Sequence, residues 1–361
     1  MKYILTINPG STSTKIALFE GLEEKFTTTI RYEMSDIAMY KSVMDQYDFR
    51  EKSVVSALEK KGVALSDIAI VVGRGGLLRP VSSGVYRVNE AMIEDLSKSS
   101  FGEHASNLGA VIADAIAKKV CALNGENSCM AVIADPVVVD ELAEVVRVMG
   151  HPKFKRRSIF HALNQKAIAK QYAQDVGKDY ASLNLIVAHL GGGVSVGLHS
   201  NGRVVDVNNA LDGDGPFSPE RSGSLPALDV AKLCFSGEYS FDQIKKMIVG
   251  ESGTVSMLGT NAFYEIRKRI EAGDLKAKAV ADAFIYNIAK TIGSYAPVVK
   301  GKVDAILITG GIANGTELMK QIEAMVDWIA PVRIYPGEDE MRALAQNGYN
   351  VLTGKEQCSE Y

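Results

Sequence analysis

Residues Tyr3 to Phe19 read YILTINPGSTSTKIALF. The apolar run Tyr3 to Ile7 predicts a buried strand, broken at Asn8-Pro9-Gly10. Four hydroxyl residues (Ser11 to Thr14) and Lys15 follow, and a second apolar run resumes from Ile16 to Phe19. Such a strand–turn–strand gathers backbone N–H groups, hydroxyls and one ammonium at one sheet end. These donors suit phosphate without needing a helix terminus. An ordinary polar hairpin fits the same residues, and this stretch alone leaves both readings open.

The pattern returns around residue 183. Leu185 to His189 is an apolar strand, Leu190 to Gly193 a glycine turn and Val194 to Leu198 a second strand. Asn201-Gly202 then turns into a third strand, Arg203 to Val207, matching Lys25 to Tyr32 in the first copy. Helices follow each copy, which predicts an α/β chain of two related domains facing each other across a cleft. A nucleotide would lie with its phosphates between the two turns.

The intervening segments fill out that plan. Ser35 to Lys61 has helical spacing and ends at Gly62, and Ile68 to Val72 is a strand running into Gly73-Arg74-Gly75-Gly76. An arginine among glycines at a strand end exposes both backbone and guanidinium to a ligand, although a solvated turn arginine has the same signature. Helices are expected at Asn89 to Lys98 and from the His104 segment to Val120. The strand Met130 to Ala134 stops at Asp135, where ligands gather in open α/β sheets and where a turn-capping aspartate also fits. Lys153, Lys155 and Arg156 read as a solvated face, and a helix from near Ser158 places His161 in its first turn, beside Phe160.

Further on, Asp212 to Ser224 is a Gly- and Pro-rich loop presenting Arg221, and helices follow at Ala227 to Phe235 and Phe241 to Val249. Gly253 to Asn261 reads as irregular and Lys276 to Val299 as one or two long helices. Val303 to Thr309 is a strand ending in Gly310-Gly311-Ile312, a glycine pair that lets backbone approach a flat or phosphorylated ligand. After a last strand, Val332 to Tyr335, the acids Glu338-Asp339-Glu340 open a helix, where acids also complement the helix dipole.

Composition narrows the class. The chain has 361 residues, 47% hydrophobic and 23% charged, with a net charge of −3. That length suits two domains, and the charge balance argues against nucleic-acid binding. The four cysteines (Cys121, Cys129, Cys234, Cys358) form no CxxC pair and read as reduced thiols of a cytoplasmic protein. No signal peptide is evident, and no apolar stretch nears the roughly 20 residues of a membrane helix. There is no GxxxxGK[ST], the Gly191-Gly192-Gly193 run lacks GxGxxG spacing, and HExxH, GxSxG and HRD signatures are missing. Asp212 to Asp214 fails as a calcium loop because its glycine and distal glutamate are misplaced.

Asn8-Pro9-Gly10-Ser11-Thr12-Ser13-Thr14-Lys15 resembles the first signature of the butyrate kinases, close to the NxGSSSxK of acetate kinases, and His189-Leu-Gly-Gly-Gly resembles their second phosphate segment. The resemblance spans essentially the whole chain. It implies the acetate and sugar kinase, heat-shock chaperone and actin superfamily: two duplicated actin-like (ribonuclease H-like) domains with a mixed βββαβαβα core and an interdomain cleft. Residues 1–155 with 341–361 would form one domain, and 156–340 the domain carrying the nucleotide site.

By the same resemblance Asn8, Ser11, Ser13 and Lys15 form the first phosphate-contacting turn, and His189, Gly191, Gly192 and Gly193 the second. Gly310, Gly311 and Ile312 form the adenosine segment. Arg74 corresponds to the arginine on the substrate carboxylate and transition state, Arg221 to its partner, and Asp135 to a catalytic aspartate near the metal. His161 corresponds to the histidine on the transferring phosphoryl group, and Phe160 beside it, with His104 as a substrate-side histidine, would bind substrate. Glu340, or its neighbours Asp339 and Glu338, corresponds to the metal-associated acid. ATP/ADP and Mg²⁺ are the implied cofactors, a small carboxylate the acceptor and a homodimer or higher homo-oligomer the assembly.

Two departures stand out. Gly192 replaces the asparagine of the acetate kinase HLGNG segment, and Gly76 stands where those enzymes place an acyl-pocket valine. Loss of an isopropyl group at Gly76 predicts a longer pocket, suited to a four-carbon acid. The alternatives are an acetate or propionate kinase, a sugar kinase using Asp135 as base, and an ATP-binding switch without catalysis.

Overall fold

The computed structural model describes residues 2–361. Two compact units result: residues up to Val139 together with Asp339–Tyr361, and Asp140–Glu338. Among the described residues the strands are, in chain order, β1 (Tyr3–Pro9), β2 (Ser13–Glu20), β3 (Glu23–Arg31), β4 (Ile68–Arg74), β5 (Val85–Arg87), β6 (Met130–Ala134), β7 (Leu185–Leu190), β8 (Val194–Ser200), β9 (Arg203–Val207), β10 (Ala305–Gly310), β11 (Val332–Pro336) and β12 (Cys358–Glu360).

The first sheet runs β12-β5-β6-β4-β1-β2-β3 and the second β11-β10-β7-β8-β9. The last five strands of the first have the order of the whole second sheet. Directions repeat too: β1–β2–β3 and β7–β8–β9 are antiparallel meanders, while β4, β6 and β10, β11 join in parallel. The duplicated α/β architecture expected from the repeat is therefore present.

Each sheet is covered on both faces, which is why its central strands read as continuous apolar runs. Leu5, Ile7 and Val71 pack with residues of the helix Asn107–Asn124, such as Leu108 and Ile112. The alternate residues Ile4, Ile70 and Val72 lie against Gly348 of the helix Glu340–Leu352. In the second unit Ile186, Ala188 and Leu190 meet Phe284, Ile288 and Ile292 of Leu275–Tyr295. Leu185 and Val187 meet Ala169 and Tyr172 of Ala162–Asp175.

Several local expectations are corrected. The helix expected over Ser35 to Lys61 is broken into Met34–Ala38, a turn at Met44–Gln46, and Tyr47–Lys60. Ser42 and Asp45 exchange side-chain-to-backbone bonds of 2.9 and 3.2 Å, a reciprocal arrangement that starts a new helix. The helix expected from Ser158 begins at Ala162, because Ile159 is held by a 2.8 Å bond from Ala210 N to its carbonyl; His161 precedes the first turn. Gly253–Leu258 is helical, not irregular, and ends at Gly259 in the left-handed conformation (φ +75°). Asn8 and Pro9 continue β1, and Ser13 to Lys15 already belong to β2, so the turn itself is only Gly10 to Thr12. Among the described residues no helix is long and apolar enough to cross a membrane.

Candidate active site

In the first unit the turn between β1 and β2 brings Asn8 directly opposite Lys15 in the antiparallel ladder, so both side chains share one face. Both are half-buried, while Ser11 is exposed and Ser13 half-buried. The carbonyls of this turn are gathered by a residue the sequence reading did not single out. Arg50, 1% exposed, donates through Nη1 to Gly10 O (2.7 Å) and Ser13 O (3.0 Å), and through Nη2 to Ser11 O (2.8 Å). Gln46 Oε1 fixes the other edge of the guanidinium, at 3.0 Å from Nε and 2.8 Å from Nη2. Burial lowers the Arg50 pKa from its ordinary value. Arg50 sits in an ordinary charged helix pattern, and nothing in its neighbours announces it.

Arg74 ends β4. Its Nη1 lies 3.0 Å from Glu340 Oε2 and 3.3 Å from Asn8 Oδ1, and Asn8 Nδ2 donates to the same carboxylate oxygen. Turn, arginine and acid thus form one network in this unit. The three closing acids separate into three jobs. Glu340 joins Arg74 and Asn8, Asp339 caps the helix by accepting from Arg342 N at 3.1 Å, and Glu338, in the second unit, lies 3.2 Å from His189 Nε2.

Asp135, 3% exposed, directly follows β6 at φ 38°, a left-handed conformation that aspartate tolerates better than most residues. Its Oδ1 accepts from Ser83 Oγ (2.6 Å) and Gly84 N (2.9 Å). His104 is exposed just before the helix Asn107–Asn124 and accepts at Nδ1 from Ser106 N (3.2 Å), which puts its neutral-form proton on Nε2.

Gly76 packs closely against Asn107. A Cβ built there would lie 2.4 Å from Asn107 Oδ1 and 2.6 Å from Asn107 Cα. The volume a side chain would take here is occupied by the start of the helix Asn107–Asn124.

In the second unit the glycine turn after β7 carries the site. His161 and His189 stack with ring centroids 3.8 Å apart and 13° between planes. His189, 1% exposed, meets Asn164 Oδ1 through Nδ1 at 2.7 Å, and His161 Nδ1 lies 2.8 Å from Ser195 Oγ. A Cβ at Gly191 would lie 2.5 Å from Glu338 Oε1 and 3.0 Å from His189 Nε2. At Gly193 it would lie 2.3 Å from Arg221 Nη1. At Gly192 it would meet nothing within 4 Å, so the asparagine of the related motif would fit here. Arg221 donates from Nη1 to Ala210 O, and burial lowers its pKa while Glu220 and Asp212 act the other way. Ser218 Oγ donates to Gly192 O at 2.7 Å, docking the arginine's loop on the glycine turn.

Beside this turn is a cavity of about 710 Å³. Gly191, Gly192, Gly311, Ile312 and Glu338 border it, and Phe263, Ile266, Ile270, Ile285 and Leu318 give it an apolar wall. Its size suits a nucleoside-sized ligand. Gly310, at φ +97°, lets the β10 end press on β7, where a Cβ would meet Leu190 O at 2.2 Å. Phe160, by contrast, is 2% exposed, an interior side chain.

No group of three or more His, Cys, Asp or Glu among the described residues could hold a metal by itself. Magnesium, however, usually takes only one or two carboxylates and completes its shell with phosphate and water. Asp135 and Glu340 bond through one oxygen each, and among the described residues nothing pairs with the second. That donor chemistry fits.

Comparison with known proteins follows the same lines. The model of the acetokinase family matches residues 149–352. The chain is 50% identical over 362 residues to butyrate kinase 2 of Clostridium acetobutylicum, covering 100% of both chains. It is also 50% identical over 358 residues to a probable butyrate kinase of Clostridium botulinum, covering 99% of each. In structure it is similar to Porphyromonas gingivalis acetate kinase, with a TM-score of 0.78 at 18% identity over 98% of this chain and 100% of that one.

Proposed function

We propose, since this chain belongs to the acetokinase family, that it reversibly phosphorylates a short-chain carboxylate with ATP, giving an acyl phosphate and ADP, and that its favoured acid is butyrate or a branched four-carbon relative. The observation that carries the choice of acid is the identity of half of all positions, end to end, with butyrate kinases. The apolar cavity beside the glycine turn supports nucleotide binding at Gly191 to Gly193 and Gly310 to Ile312.

A carboxylate is already ionised at neutral pH and needs no strong base. Catalysis must therefore come from in-line positioning and from neutralising charge on the equatorial phosphoryl oxygens. Arg74, Arg221 and His161 are the donors for that task, with Asn8, Ser11, Ser13 and Lys15 receiving phosphate. Asp135 and Glu340 would hold Mg²⁺, which supplies charge neutralisation on the phosphates when bound. His104 is a substrate-side donor through Nε2. A homodimer or higher homo-oligomer belongs to the same reading, and sedimentation would test it.

The decisive experiment traps acyl phosphate with hydroxylamine, using Mg-ATP and acids from acetate to hexanoate with isobutyrate and isovalerate. The expected maximum is at four carbons. A maximum at acetate would keep the chemistry and reassign the acid, and no product with any acid would sink the carboxylate reading.

A further inference from the structure

The hydrogens around His161 can be placed one by one from groups whose polarity is fixed. Gln165 and Ser195 are fully buried. One end of the Gln165 amide lies 3.1 Å from Ser195 O and 2.8 Å from Ser195 Oγ, and the other lies 3.0 Å from His199 Nε2. A backbone carbonyl only accepts, so the end facing Ser195 is the NH₂ and the oxygen faces His199. That oxygen also only accepts, so His199 carries a hydrogen on Nε2.

His199 is wholly buried, and burial near Lys166 pushes its pKa down to about 3. It therefore has one ring hydrogen, and its Nδ1 accepts from the Tyr180 hydroxyl at 2.8 Å. At the inner end, Ser195 Oγ receives an N–H from Gln165 and the backbone N–H of His161, the latter at 3.5 Å. Both lone pairs are then taken, and the hydroxyl hydrogen is directed to His161 Nδ1, 2.8 Å away.

We propose that the chain Tyr180–His199–Gln165–Ser195, buried from His199 inward, sets the tautomer of His161, holding it as a neutral imidazole with its hydrogen on Nε2. Gln165, Ser195 and His199 are positioning residues. They deliver a preorganised N–H donor for charge that builds on the phosphoryl oxygens, with no proton transferred. This use rests on the reading of His161 given above, but the tautomer itself belongs to the protein alone.

The test is a two-bond ¹⁵N–¹H spectrum of the imidazoles in the substrate-free protein, which separates pyridine-type from pyrrole-type nitrogens. There are only five histidines to assign. His161 is expected to show a bare Nδ1 and a protonated Nε2. In Gln165→Met the Ser195 hydroxyl is free to turn, so the two His161 nitrogens should move toward averaged shifts. The rate constant kcat should fall about tenfold with KM nearly constant. Ser195→Ala serves the same purpose should Gln165→Met fail to fold. A wild-type His161 protonated on Nδ1, or variants that lose stability while His161 keeps its tautomer, would overturn the relay. A changed tautomer with an unchanged kcat would overturn the reading of His161 on which its use depends.

Discussion

Two glycine runs, Gly73-Arg74-Gly75-Gly76 and Gly191-Gly192-Gly193, look alike in the sequence and serve opposite ends. In the first, the missing side chain of Gly73 makes room for backbone. A Cβ at Gly73 would lie 2.3 Å from Gly109 O, and one at Gly109 would lie 2.2 Å from Arg74 O. Helix and strand are pressed together there, and Arg74 is carried on the joint. In the second run the missing side chains make room for functional groups: Glu338 and His189 at Gly191, and the Arg221 guanidinium at Gly193. A glycine required by a helix is paid for in folding, whereas a glycine required by a side chain shows itself in turnover.

Substitutions can break that contrast. The largest effect is expected for Arg221→Ala, which should lower kcat about 10³-fold with an unchanged unfolding midpoint, since it removes a donor from the transition state. Near-normal turnover would take Arg221 out of the mechanism. Gly73→Ala should cost about 3 kcal/mol in urea unfolding, because carbonyl and Cβ cannot share the space and the backbone must separate. Gly193→Ala should lower kcat about 10²-fold by displacing the Arg221 guanidinium on the order of an ångström, with stability nearly retained. If it destabilised as Gly73→Ala does, the two runs would not differ in kind. The smallest effect belongs to Gly192→Ala, where a Cβ meets nothing within 4 Å. Its unfolding midpoint should stay close to wild type.

What the sequence made legible was whatever repeats or alternates. The meander from Tyr3 and its copy from Leu185 announced two sheets, because apolar runs of strand length bounded by turn residues have few other uses. Residues brought together from far along the chain left no such mark. Arg50 lies in an ordinary charged helix segment, and its use emerges only when the β1–β2 turn folds onto it. Asn164-Gln165-Lys166, three consecutive buried polar residues, were a signal available to a closer reading, since polar side chains in an interior need partners. Gly76 makes a related point, since its close neighbour Asn107 lies thirty-one residues along the chain. A motif comparison says which atoms are missing, but only packing says what occupies their place.

The clamp on the β1–β2 turn has a consequence for anyone wishing to borrow it. The octapeptide Asn8 to Lys15 looks like a portable cassette, yet its shape is enforced from forty residues away by Arg50 and from Gln46 behind it. Grafted alone onto another hairpin, it would leave the Gly10, Ser11 and Ser13 carbonyls without their guanidinium and free to point elsewhere. The transplantable module is the meander together with Met44–Gln46 and the helix Tyr47–Lys60. A designer who moved only the signature would copy the lettering and leave the hinge behind.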